Sequence, residues 1–207
     1  MLPFLQSSGI VEEVSRKEVL RHWIRLEVCE EPEQNITETD DERDLLEILV
    51  DQTDGASHHL WNPEPVTWYR YRLSESQLRN LRVIESPDGI GWDALTEDES
   101  VISAAQTIAQ ETVPPKATAA VDLTKVREKA REYPTNSVER IILVTPQTLA
   151  SPRIVDGNHR ATAVALALLS GVRYDPVEAY LGIAPRSQCN IISHLRWKIR
   201  YIFGGQM

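Results

Sequence analysis

Cysteine is scarce in this chain. Only Cys29 and Cys189 occur, and neither stands at a metal-ligand spacing from a histidine. They read as isolated thiols of a reducing compartment, with a distant disulfide as the alternative. Long apolar runs are absent too: none approaches the roughly 18 residues that span a membrane. The N-terminal Met1-Leu2-Pro3-Phe4-Leu5 lacks a basic stretch, and Glu12 and Glu13 follow soon after, so no secretory signal is expected and the cytoplasm is the expected location. The sequence also lacks the G-x-x-x-x-G-K-[ST] phosphate loop, the dinucleotide fingerprint G-x-G-x-x-G and the nucleophile elbow G-x-S-x-G.

What is present is the make-up of a water-soluble globular protein, 42% hydrophobic and 26% charged over 207 residues. The formal charge of −9 is uneven. Residues 1–60 carry 15 acidic and 5 basic side chains, whereas residues 61–207 carry 16 and 17. An acidic front argues against a protein that coats duplex DNA with its whole surface. Residues 181–207 hold Arg186, Arg196, Lys198 and Arg200 and no acid. That tail reads as a solvated amphipathic helix, with phosphate contact as the alternative.

Taken in order, Ser15 to Val28 reads as a helix capped by Ser15, with Glu18 at capping-box spacing and a stripe of Val19, Leu20, Trp23 and Ile24. Residues 30–44 form an acidic linker, and Leu45 to Val50 a short helix. His58 and His59 are adjacent and have no third ligand near, so they read as loop histidines. Val66 to Leu73 alternates as a strand; its interleaved arginines and aromatics suit a half-buried sheet edge or, alternatively, nucleic-acid stacking. A capped helix running into a strand follows over Ser74 to Ile84, then a turn at Ser86 to Gly89 and a helix over Glu97 to Gln110. Thr112 to Pro115 breaks the pattern and suggests a boundary between an N-terminal, mainly helical subdomain (1–117) and a second domain (118–207).

The second part reads as a brief strand (Ala119 to Asp122), a helix (Leu123 to Tyr133), a strand (Val138 to Val144), a turn, a strand (Arg153 to Val155), a helix (Ala161 to Leu169) ended by Gly171, a strand (Val177 to Leu181) and a last helix from Gln188 to Phe203. The class is α+β. At its centre lies Asp156-Gly157-Asn158-His159-Arg160, a strand-to-helix corner. Asp156 and Asn158 favour helix starts and Gly157 permits a tight turn. The free N–H groups of the first helical turn beside Arg160 make an anion site, most simply for phosphate. The competing reading is structural: Asp156 caps the helix and Arg160 pairs with an acid.

The corner resembles that of the ParB/sulfiredoxin superfamily, over about residues 118–183. The resemblance is carried by Gly157-Asn158-His159-Arg160, by Val121-Asp122-Leu123-Thr124-Lys125-Val126, similar to an Asp-x-x-Lys helix start, and by Pro176-Val177-Glu178-Ala179-Tyr180 as a closing strand. It implies a small mixed-sheet domain whose corner holds nucleotide phosphates. Lys125, Asn158, His159 and Arg160 would contact them, Gly157 would allow close approach, and Thr162 completes the nucleotide-binding set. Asp122 or Asp156 would serve Mg²⁺. A similar corner occurs in free serine kinases, and related sequences are labelled ParB-like nucleases. The departures also inform: Asn158 stands where sulfiredoxins have their catalytic cysteine, so sulfinic-acid reduction is not expected. The 47 residues after Arg160 are too few for both the DNA reader and the dimerisation domain of partition proteins.

The resulting expectation is a nucleotide-binding protein using ATP or CTP and Mg²⁺ for hydrolysis or phosphoryl transfer, with His159, Arg160 and Asp156 as catalytic residues. Two alternatives stand beside it. One is a ParB-like nuclease or a DNA-binding regulator of plasmid or phage type, drawing on Arg70, Arg72, Arg79, Arg82 and the basic tail. The other is a nucleotide-gated module that moves the acidic N-terminal segment against a protein partner without turnover.

Overall fold

The computed structural model describes residues 9–27, 41–52, 66–84, 91–118, 121–146 and 151–184. His58, His59, the turn at 86–89, the C-terminal helix and most of the acidic linker lie outside the described residues. One five-stranded mixed sheet organises the rest. Its strands are β1 (Ile10–Val14), β2 (Thr67–Arg72), β3 (Ile141–Pro146), β4 (Arg153–Asp156) and β5 (Glu178–Ala184), in the order β1-β2-β5-β3-β4. The β3–β5 pair is parallel and the other pairs are antiparallel.

Side chains alternate across the sheet, as a period of two requires, and build a core on each face. One face is covered by the hairpin of α1 (Arg16–Glu27) and α2 (Glu42–Gln52). There Val19, Leu20, Trp23, Ile24, Leu45 and Leu49 meet Trp68, Ile142, Val155 and Tyr180. The opposite face carries α3 (Glu75–Arg79), α4 (Val101–Ala109), α5 (Pro115–Thr118), α6 (Leu123–Glu132) and α7 (Asn158–Leu169). Leu78, Val101, Ile108, Val126 and Val164 pack there on Tyr71, Ile141, Leu143, Ile154 and Leu181. Each fully buried Leu or Ile contributes roughly 1.5–3 kcal/mol of apolar transfer.

Several elements follow from the residues that start them. Ser15 accepts the Glu18 N–H at 3.2 Å, as a cap should. Ser74 and Gln77 form a full capping box that sets α3. The helix expected from Glu97 begins at Val101, because the Ser100 hydroxyl takes the Ser103 N–H at 3.2 Å and Glu99 before it has a positive φ. Val121 and Asp122 are not strand: Asp122 caps α6 by accepting the Lys125 N–H at 2.9 Å. Residues 42–44, expected as linker, are the first turn of α2.

Two differences concern the layout. β2 is not a sheet edge, since it pairs with both β1 and β5. β1 was not expected at all. Together β1 and β2 join β3, β4 and β5 in one sheet, so the boundary expected near residue 117 separates neither sheets nor cores. No helix among the described residues is long and apolar enough to cross a membrane.

Candidate functional site

β4 and α7 meet with one residue between them. Gly157 sits there at φ 101°, ψ 23°, a left-handed conformation that turns the chain at once into the helix. Hence α7 starts at Asn158, three residues before the expected Ala161. The α7 N-terminus has no side-chain cap. Asp156 and Asn158, both suited to cap it, are engaged elsewhere. Asn158 is buried, and its side-chain oxygen accepts the Ile84 N–H at 2.9 Å, tying the corner to the segment after α3. The first-turn amides of α7 thus donate no hydrogen bond to an N-cap side chain.

Asp156 turns to Arg160, one helical turn on, and the two are hydrogen-bonded as an ion pair. The Arg160 side chain is only 9% exposed, and its Nη1 also reaches Glu139 at 3.3 Å. Glu27, at the end of α1 on the other side of the sheet, feels both Asp156 and Arg160. Burial raises its carboxyl above the usual range although Trp23 Nε1 donates to it at 3.1 Å. The arginine expected as an open phosphate clamp is therefore paired with two acids, Asp156 and Glu139.

His159 is the second residue of α7 and packs edge-on to Trp92, ring centroids 5.0 Å apart. Its Nε2 is buried without a hydrogen-bond partner among the described residues. Burial lowers its pKa; Lys125 and Lys129 act in the same direction, and Asp122 and Asp156 oppose them. The sequence-expected Lys125, Asp122, Asp156 and His159 are thus gathered at one place, where α6 packs beside α7. Thr162 is not brought to a surface. It is fully buried, and its hydroxyl has no hydrogen-bond partner among the described residues.

The acids expected to hold a metal have other partners: Asp122 caps α6 and Asp156 pairs with Arg160. Among the described residues no group of three His, Cys, Asp or Glu is placed to hold a metal ion. These residues do not form a resident Mg²⁺ cage.

Of the arginines of the DNA reading, the four among the described residues are paired, and the basic tail lies outside them. Arg70 bonds Glu18 at 2.7 Å and Glu12 at 2.5 Å, Arg72 lies 3.7 Å from Glu178, Arg79 pairs with Glu75 at 2.8 Å and Arg82 with Glu99 at 2.9 Å. Each of these four arginines has an acidic partner beside it. Sequence reasoning missed Glu27, Glu139, Trp92 and Lys129; only Lys129, one turn after Lys125 on α6, could have been found by spacing.

A pH dependence follows from two rings. His22, whose Nε2–H donates to the Arg140 carbonyl at 3.0 Å, is also held below the usual histidine pKa, by burial first and by Arg160, Arg25 and Arg140 after it. The unfolded chain takes up protons near pH 6.5 where the folded rings stay neutral, so stability falls as pH falls below that value. The melting temperature is expected to drop between pH 7.5 and 5.5, and to drop less in a His22→Gln, His159→Gln variant. Equal slopes for the two proteins would refute the assignment.

No protein-family model, curated protein or solved structure matches this chain.

Proposed function

We propose that this protein binds the phosphates of a nucleoside triphosphate at the β4–α7 corner, in the manner implied by its resemblance to the ParB/sulfiredoxin superfamily. The observation that carries this is the start of α7: a left-handed glycine, an N-terminus without a side-chain cap, and α6, which carries Lys125 and Lys129, packed beside it. Backbone N–H groups and the helix dipole favour an anion there, and the lysines add charge without a fixed geometry. His159, neutral at pH 7, donates or accepts one hydrogen bond. Gly157 contributes the left-handed turn that starts α7 at once after β4.

Binding is the core of the proposal, with ATP or CTP and an accompanying Mg²⁺ as the ligands. Hydrolysis or phosphoryl transfer would call on Lys125 and Arg160 to stabilise charge on the transferred group, and on His159 to orient it. The paired state of Arg160 favours binding over turnover as the first activity to seek.

Thermal unfolding with ATP, CTP, GTP and UTP, each with and without Mg²⁺, tests this. A ligand at a hundred times its dissociation constant stabilises by about 2.7 kcal/mol. One triphosphate is expected to raise the melting temperature, and Lys125→Ala is expected to weaken its binding about tenfold, the loss of one charge-assisted contact. Lys125 is exposed, so the variant should fold normally. A stabilisation of equal size in both proteins would place the ligand elsewhere.

A further inference from the structure

We infer that Glu139 is a built-in competitor for the phosphate: its carboxylate occupies the face of Arg160 that a phosphate oxygen takes in the liganded state. The inference rests on the phosphate-binding reading above and adds how the site is kept closed. Arg160 has two acidic partners of different kinds. Asp156, four residues earlier at the end of β4, has a side chain only 19% exposed and bonds Nη2. Glu139 lies in the segment leading into β3, has a side chain 63% exposed, and reaches Nη1 at 3.3 Å. The first pair is the less exposed of the two, fixed by the strand and helix that carry its ends. The second faces water.

A guanidinium offers N–H donors along separate edges, so one edge can change partner while another keeps its own. Asp156 therefore holds the group in place while the Nη1 edge is shared between Glu139 and an incoming anion. An exposed carboxylate at this distance is held weakly and is screened by salt, whereas a phosphate carries more charge and sits at the α7 N-terminus as well. The exchange moves one surface side chain. It leaves Arg160 buried and the corner intact. It also reconciles the arginine's two aspects, closed by acids in this structure yet placed on the first turn of the helix that would receive the phosphate.

The experiment is a titration of the wild-type chain and of Glu139→Gln with inorganic tripolyphosphate and, separately, with ATP, following the Arg160 Nε–H resonance by NMR. Glu139 is exposed and outside both cores, so the variant keeps the fold. Both probes are expected to bind the variant about threefold more tightly, the equivalent of one exposed ion pair. The Arg160 resonance is expected to move on saturation in both proteins. Binding by the wild type with unchanged or weaker affinity in the variant would overturn the competition and leave the phosphate site standing. Tighter binding without movement of the Arg160 resonance would overturn it too, since the gain would then be a general charge effect. Failure of both proteins to bind both probes would overturn both readings. A response to ATP but not to tripolyphosphate would also overturn the competition, because recognition would then run through the nucleoside.

Discussion

Replacing Gly157 with alanine is expected to cost about 3 kcal/mol of stability. Two independent penalties add. At φ 101° an L-residue is strained, which alone costs of order 1–3 kcal/mol. The new Cβ would also stand 2.6 Å from Ile141 Cγ2, 3.0 Å from Ile141 Cβ and 3.1 Å from Arg160 Nε. Ile141 is fully buried on β3 and cannot move without opening the core, so overpacking adds a further 1–3 kcal/mol by the usual scale. For a chain of this size the melting temperature should fall by about 10 °C. Adding Ile141→Val should recover part of the loss by relieving the contact while leaving the backbone strain. A Gly157→Ala protein that melts with the wild type would mean that the corner does not adopt the left-handed turn on which the site depends.

Arg160→Ala should be as damaging, for an electrostatic reason. The guanidinium is a buried cation paired with Asp156 and Glu139. Removing it strands the Asp156 carboxylate in a largely buried position, and breaking a buried pair from one side typically costs 3–5 kcal/mol. We expect about 3 kcal/mol, since Glu139 is exposed and relaxes into water. Changing Asp156→Ala as well should return part of this, because the stranded charge is then gone. The double-mutant cycle read by denaturant unfolding checks the claim; additive losses would show that the pair is not coupled. Arg160→Ala is therefore a poor probe of ligand binding, as its first effect is on the fold. Lys125→Ala and Glu139→Gln, at exposed positions, serve that purpose better.

Much of the corner was legible in the sequence because its signals are local. An extended run, a glycine and an alanine-rich stretch without breakers give β4, the left-handed turn and α7 from adjacent residues. Asp122 three residues before Lys125 gives a capped helix in the same way, although a strand was expected there. Arg160's surroundings were not legible. Glu139 lies 21 residues away in the chain, and Glu27 belongs to a helix on the opposite face of the sheet. Only the folding of α1 over that face brings Glu27 near, and no spacing rule reports it. β1 escaped notice because Ile10 to Glu13 are all exposed, so the strand carries no buried alternation to read. Its place is set by backbone pairing with β2. That pairing also puts β2 inside the sheet, where its arginines find acids: Arg70 meets Glu12 across the strand pair and Glu18 on α1. The alternation of aromatics and arginines was real, but it serves cross-strand pairing and helix docking rather than a basic surface.

The same local-versus-distant distinction separates the parts of the site. The features proposed to face phosphate are partly local, the amides of α7 and His159, and partly supplied by α6, which carries Lys125 and Lys129. The features that hold or close the corner come from afar: Ile84 on Asn158, Trp92 on His159, Glu139 on Arg160. On this account a ligand meets the first group and displaces one member of the second.

The most direct measurement is a titration of the isotope-labelled chain with ATP and with CTP, following the backbone amide resonances of Asn158, His159 and Arg160. The account predicts that these amides, with the Lys125 amide one helix away, show the largest saturable shifts, since anions at a helix N-terminus act on its unbonded N–H groups. Saturable shifts confined to other residues, with these four unmoved, would contradict it.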